Sequence, residues 1–372
     1  MDDRVREHAE TLVGWSARVE PGDDVVVGVG EGAHDLAVAV AEQLGEIGAT
    51  PHFTYSSGET GRAYLRASGD GDADGASPSF EAGEHELALY EAADVYLSLG
   101  GGRNTAATAD VPGPVRQAYR RDRQAVREAR LSTDWMSTVH PTRSLAQQAG
   151  MAYEEYREFV YDAVLRDWEA LAEEMDRMKR LLDDGSEVRV VAGETDVRMS
   201  IAGRTAVNSA ASVAYDSHNL PSGEVFTAPY NAEGEVLFDV PMTVDGRRVR
   251  DVRLTFEDGV VTAFEAGENP DVIAELLQTD DGARRLGELG IGMNRGVNRV
   301  TNNILFDEKM GDTVHMALGR AYDANLPEGE SGNDSAVHQD MIVDVGENAR
   351  MEVDGEVVQR DGTFRWEDGF EG

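Results

Sequence analysis

The chain has 372 residues, no cysteine, 41% hydrophobic residues, and 71 acidic against 34 basic residues, for a formal net charge of −37. The absence of cysteine excludes disulfides and thiolate metal sites, and the hydrophobic fraction argues for folded domains, two or three at this length, rather than disorder. So negative a surface repels nucleic acid and anionic membranes, so neither is expected as a partner.

The N-terminus carries no apolar signal segment, and no apolar run approaches ~18 residues, so a soluble cytoplasmic protein is expected. Residues 24–29, DVVVGV, read as a strand, 35–44 as a helix, 50–55 as a second strand and 94–99, DVYLSL, as a third. This βαβ rhythm predicts a mainly parallel sheet with helices on its faces. GVGEGA at 28–33 fits the dinucleotide fingerprint through Gly28, Gly30 and Ala33, but Glu31 and Asp35 would stand beside a pyrophosphate, which favours a plain βα turn. The loop at 69–81 matches a calcium-loop pattern through Asp70, Asp72, Asp74, Gly75 and Glu81. Ser77 at the usual apolar anchor, followed by Pro78, favours a solvated surface loop. SLGGGRN at 98–104 reads as a glycine turn after a strand.

Residues 151–184 form an amphipathic helical stretch through Phe159, Ala163, Leu165, Trp168, Leu171, Met175, Met178 and Leu182, ending at Asp184–Gly185. The domain junction is placed there, giving an N-terminal α/β domain, 1–185, and a C-terminal β-rich domain, 186–372. Beyond 185 the period changes to two, with strands separated by Gly, Asp and Asn turns and interrupted by one helix over 271–289.

In the second half, titratable residues stand where the local pattern calls for burial. His338 and Asp340 share a face of the strand AVHQDMIVDV, because residues two apart project together. Glu224 opens an apolar strand, Glu288 lies in LGELGIG, Glu308 follows ILFD, and His315 lies between Val314 and Met316. Buried carboxylates are costly unless paired or metal-bound, and the flanks of Glu224, Glu288 and His315 show no basic residue within two positions. Four carboxylates and two imidazoles suit two divalent ions of the Zn, Co or Mn type, and hydrolysis of a polarised carbonyl or phosphoryl group. Tyr322 could donate to a developing oxyanion.

Across HPTRSLAQQAGM (140–151), TDVRMSIAGR (195–204), NLPSGEVFTAP (219–229), RLGELGIG (285–292), ILFDEKMGDTVHMALGRAY (304–322) and GNDSAVHQDMIVDV (332–345), the chain resembles the aminopeptidase T-like family of dimetal aminopeptidases. The resemblance implies a homodimer that removes N-terminal residues from peptides by attack of a water bridging two divalent ions, Zn, Co, Mn or Mg. It places the ligands on Glu224, Glu288, His315, His338 and Asp340, with Glu308 as a further one. It also implies that Tyr322 assists catalysis, and the expected mechanism has Glu288 or Glu224 shuttle the proton to the leaving amine. The alternatives are a dimetal hydrolase of non-peptide amides or esters, or a nucleotide- or calcium-binding protein. Only Lys179 and Lys309 among the basic residues are lysine. With the acidity, this suggests a halophilic cytoplasm, where molar salt shortens the Debye length to about 3 Å.

Overall fold

A computed structural model of the chain describes residues 2–69, 80–244 and 247–372. The run at 24–29 is the strand Asp24–Gly30, with Val25, Val26, Val27 and Val29 buried. It lies between Thr50–Ser56 and Val95–Gly100, and the sheet continues through Asp134–Val139 to the short strand Asn219–Leu220, all parallel. The near-continuous apolar runs of Asp24–Gly30 and Val95–Gly100 follow from central parallel strands covered on both faces. Asp134–Val139 was not anticipated, because DWMSTV mixes polar and apolar residues without clean alternation.

Two compact units result: Met1–Leu165 with Ala211–Pro221, and Arg166–Ala210 with Ser222–Gly372. The junction expected at 185 is not where they divide. The helical stretch is broken into Tyr153–Val164 and Trp168–Asp184, and Asp167 caps the second helix by accepting from the Ala170 amide at 3.0 Å. That helix packs on the strands Val207–Ser209 and Glu224–Thr227, and Asn208 Nδ2 donates to Ala172 O at 3.0 Å and Asp176 Oδ1 at 2.7 Å, so it belongs to the second unit. Gly185 ends the helix in an extended conformation, φ −82°. Glycine is needed there for close approach, since a Cβ would lie 2.7 Å from Val353 Cγ1.

Within the first unit the chain reverses direction across the sheet between Asp24–Gly30 and Val95–Gly100, the point where open α/β sheets commonly take ligands. Here the protein's own backbone occupies it. Gly32 N donates to Gly101 O at 2.6 Å, and a Cβ on Gly32 would lie 2.7 Å from that oxygen and 2.8 Å from Thr142 Cγ2. The glycines of GVGEGA and SLGGGRN thus let two loops touch. The calcium-loop pattern falls almost wholly on 70–79, outside the described residues.

His8, on the helix Asp3–Glu10, is fully buried, with Nε2 2.8 Å from Thr138 Oγ1. Burial, with His140 nearby, pushes its imidazole down to about 3. Above pH 6.5 the ring is neutral folded or unfolded. Below it, only the unfolded chain takes up the proton, so stability falls with pH. Between pH 6.5 and 5 this group is expected to cost about 2 kcal/mol. Thermal melts at both pH values should show a smaller acid-induced loss for His8→Gln than for the wild type.

The second unit contains two larger antiparallel sheets. The eight-stranded one runs Val260–Glu265, Val252–Glu257, Tyr230–Phe238, Thr195–Ser200, Glu187–Ala192, Ala349–Val353, Glu356–Arg360, Thr363–Phe364. The five-stranded one runs His338–Asp344, Thr313–Gly319, Leu286–Gly292, Glu224–Thr227, Val207–Ser209. The helix expected over 271–289 is a correction: only Pro270–Leu276 is α-helical, and 286–289 open a central strand. Gly287, Gly290 and Gly292 weaken any helix there, and burial on both faces removes the alternation that marks a strand. Among the described residues, no helix is long and apolar enough to cross a membrane.

Candidate metal centre

The five-stranded sheet collects the titratable residues on one face. Glu224 stands opposite Gly292, Gly290 opposite His315, Glu288 opposite Ala317, Ala317 opposite Asp340, and Gly319 opposite His338. Directly opposed residues of an antiparallel pair share a face, so the face carries three carboxylates and two imidazoles, interleaved with glycine and alanine. The small residues make the room. His315 lies across Gly290, where a Cβ would come within 2.0 Å of its Cε1 and Nε2.

The side chains form two trios whose ligand atoms lie within 4.8 Å of one another: Glu224, Glu288 and His315, and Glu288, His338 and Asp340. Glu288 belongs to both. His315 Nε2 lies 3.1 Å from Glu288 Oε1 and 3.4 Å from Glu224 Oε2, while His338 Nε2 lies 3.6 Å from Glu288 Oε2 and 3.7 Å from Asp340 Oδ1. His338 Nδ1 is 2.9 Å from Arg320 O, a group that only accepts, so Nδ1 carries the proton and Nε2 offers its lone pair to the centre. Burial pushes the Glu288 carboxyl up, against the His315 hydrogen bond and with the charges of Asp340 and Glu224 adding to it. Burial alone would lower His315, but the hydrogen bond to Glu288 and the charges of Glu224, Glu288 and Asp340 outweigh it and raise the imidazole.

Divalent ions fit this donor set. Glu224 Oε2, Glu288 Oε2 and Asp340 Oδ1 are buried without a hydrogen-bond donor, and converging carboxylate oxygens of that kind are costly unless a cation joins them. Mixed carboxylate and imidazole ligation suits transition ions and zinc.

Glu308, the sixth expected ligand, is not in either trio. It caps the short helix Ile304–Asp307 and pairs with the Lys309 ammonium, which also lies 3.1 Å from Glu224 Oε1. Lys309 is 1% exposed and was not singled out from the sequence. Its signal was available: a lysine beside an expected ligand in a chain that otherwise uses arginine. Tyr322 stands at the rim, 43% exposed, with its hydroxyl 3.3 Å from His338 Nε2 and its ring edge-on to Phe226. Burial raises its phenol well above the ordinary range, with the charges of Glu288, Asp340 and Glu224 adding to the shift, so the hydroxyl keeps its proton.

Gly290→Ala is expected to displace His315 and weaken divalent-ion binding by roughly 10–100-fold, the range seen when ligand orientation is lost. Calorimetric titration with zinc reads the affinity, and circular dichroism checks that the sheet persists.

The fold and the paired clusters are those of a metalloprotease. The chain belongs to the thermophilic metalloprotease (M29) family, which it matches over residues 1–366. It is 36% identical over 160 residues to aminopeptidase 2 of Geobacillus stearothermophilus, covering 39% of this chain and 37% of that protein. It is 37% identical over 157 residues to aminopeptidase T of Thermus thermophilus, again 39% and 37%. Against aminopeptidase PepS of Streptococcus thermophilus it is 27% identical over 257 residues, 62% of this chain and 60% of that one. The matched stretches thus span little more than a third of the first two relatives. The solved structure of wild-type AmpT from Thermus thermophilus superposes with a TM-score of 0.84 over 98% of this chain and 99% of that one, at 24% identity, and so shares the fold.

Proposed function

We propose that this chain is a metal-dependent aminopeptidase that removes N-terminal residues from peptides. The observation that carries the reading is the overlap of two ligand trios at Glu288. It is supported by the aminopeptidase names of the relatives. Two divalent ions, drawn from Zn, Co, Mn and Mg, would supply Lewis acidity toward a carbonyl and bring a water's pKa near neutrality. Glu224 and His315 would hold one ion, His338 and Asp340 the other, with Glu288 available to both. The Glu288 or the Glu224 carboxylate would take the proton from the attacking water and return it to the departing amine. The Tyr322 hydroxyl, protonated at working pH, donates to the oxyanion that develops on the scissile carbonyl. Glu308 serves the centre through Lys309, fixing Glu224, rather than as a direct ligand. The reading includes a homodimer in a salt-rich cytoplasm, the latter supported by the net charge of −37.

The test is hydrolysis of aminoacyl reporter peptides after loading with each ion in turn, beside N-acetylated versions of the same peptides. Ion-dependent cleavage of the free-amine series alone is expected. Equal cleavage of the blocked series would point to a general amide or ester hydrolase instead.

A further inference from the structure

His338–Asp344 is the edge strand of the metal-bearing sheet. Between its outer edge and the segment 240–243 lies a cavity of about 260 Å³. Its lining includes His338 and Asp340, two members of the second trio. Of the ten other lining residues six are apolar, Val240, Pro241, Met242, Ile304, Met341 and Ile342, and four are polar, Thr243, Asn302, Asp307 and Gln339. Two polar neighbours are committed elsewhere. Asp307 accepts from Thr301 N at 2.8 Å, Thr301 Oγ1 at 2.7 Å and Asn303 N at 3.2 Å, while the Gln339 amide donates to Asp340 O at 3.0 Å. Ile304 is 49% exposed. Of the four large apolar side chains exposed among the described residues, Ile304 lines this cavity and Tyr322 lies against His338.

Among the described residues, the segment 239–240 is hydrogen-bonded to this edge at Ile342 and Asp344. Val240 N donates to Ile342 O at 3.4 Å, and Asp344 N donates to Asp239 Oδ1 at 3.0 Å. Main-chain groups alternate in direction along an antiparallel strand. Since Ile342 O points outward, so do the main-chain groups of Asp340 and His338. An extended peptide can add to such an edge as a further strand, but it meets the 239–243 cover beside Ile342 and cannot continue.

We propose that this cavity receives the side chain of the substrate's N-terminal residue, that its walls select aliphatic side chains of leucine or methionine size, and that the 239–243 cover is the stop that limits removal to one residue. The proposal rests on the aminopeptidase reading above. An apolar pocket discriminates between side chains by roughly 10–200-fold for each methylene it encloses. Ile304→Trp fills the cavity from its exposed rim.

The experiment measures kcat/KM for leucyl, glycyl and aspartyl reporter substrates with the ion-loaded full chain, and the affinities of L-leucinamide and glycinamide by calorimetry. The wild type should favour leucyl over glycyl by tenfold or more and bind leucinamide correspondingly tighter. Ile304→Trp, checked for fold by circular dichroism, should lower both ratios at least tenfold. Ratios that stay within threefold of the wild type, or a wild-type preference for aspartyl, overturn the proposal. If no aminoacyl substrate is turned over with any ion, the aminopeptidase reading fails. The amide titrations then decide the cavity alone: tighter leucinamide binding lost in Ile304→Trp supports it, and equal binding of the two amides overturns it.

Discussion

Glu288→Gln is expected to abolish turnover, lowering kcat on the order of 10⁴-fold, and at the same time to raise the melting temperature of the metal-free protein. Both effects come from one position. The Glu288 carboxylate belongs to both trios and is 5% exposed. Glutamine keeps the shape and can still accept from His315, but it cannot supply the negative charge that cations held between the trios would require. Without cations, the native residue is a buried carboxylate beside two others, and burial already pushes it toward the protonated form. Removing that charge relieves a desolvation cost and two repulsions, together on the order of 1–2 kcal/mol. The measurement is a pair of thermal melts in a chelator beside steady-state kinetics in zinc. A variant that keeps activity within tenfold of the wild type would remove Glu288 from the centre. One that melts lower without metal would show that its role in the apoprotein is structural.

Lys309→Met should have the largest effect on stability. The ammonium is 1% exposed and pairs with Glu308 and Glu224. Breaking a buried ion pair by removing one partner leaves an uncompensated charge and costs about 3–5 kcal/mol. Because Glu224 also faces the centre, divalent ions should restore part of that loss, whereas they cannot help Glu308. Adding Glu308→Gln should recover a further part, since the second stranded charge is then gone. Chemical denaturation of the single and double variants, with and without zinc, reads both couplings. If Lys309→Met is as stable as the wild type in chelator, the ammonium is not neutralising these carboxylates.

Much of the centre was legible because its residues broke a pattern. Glu224, His315, His338 and Asp340 each interrupt an apolar strand, and the structure brings them together with Glu288. The surroundings of Glu288 were misread, because LGELGIG is buried on both faces and shows neither a period of two nor one of 3.6. Its glycines lie inside or just beyond the helix expected over 271–289. Their function became visible only in register, with Gly290 opposite His315 and too close to it for any side chain. Glu308 was read as a ligand because an apolar run precedes it, yet its charge is taken by the adjacent lysine. Adjacency in sequence does not show which way two side chains turn. The glycine motif at 28–33, read as a plain turn, is ambiguous in sequence because close backbone approach serves a ligand or a neighbouring loop equally well; here Gly101 takes that place. The parallel sheet itself was readable from 24–29, 50–55 and 94–99, but its last strand, Asn219–Leu220, arrives from far along the chain and left no local signal.

That late strand has a consequence for how the molecule is made. Ala211–Pro221 completes the first unit: Ser212 Oγ donates to Trp15 O at 2.7 Å, and the His218 ring stacks on Trp135 at 4.3 Å. While the chain is still on the ribosome, everything up to Leu165 must wait for another 56 residues (221 − 165) before its sheet can close. At ordinary synthesis rates the delay is roughly 3–11 s. During it the Asp134–Val139 strand is an open border able to pair with a neighbouring nascent chain.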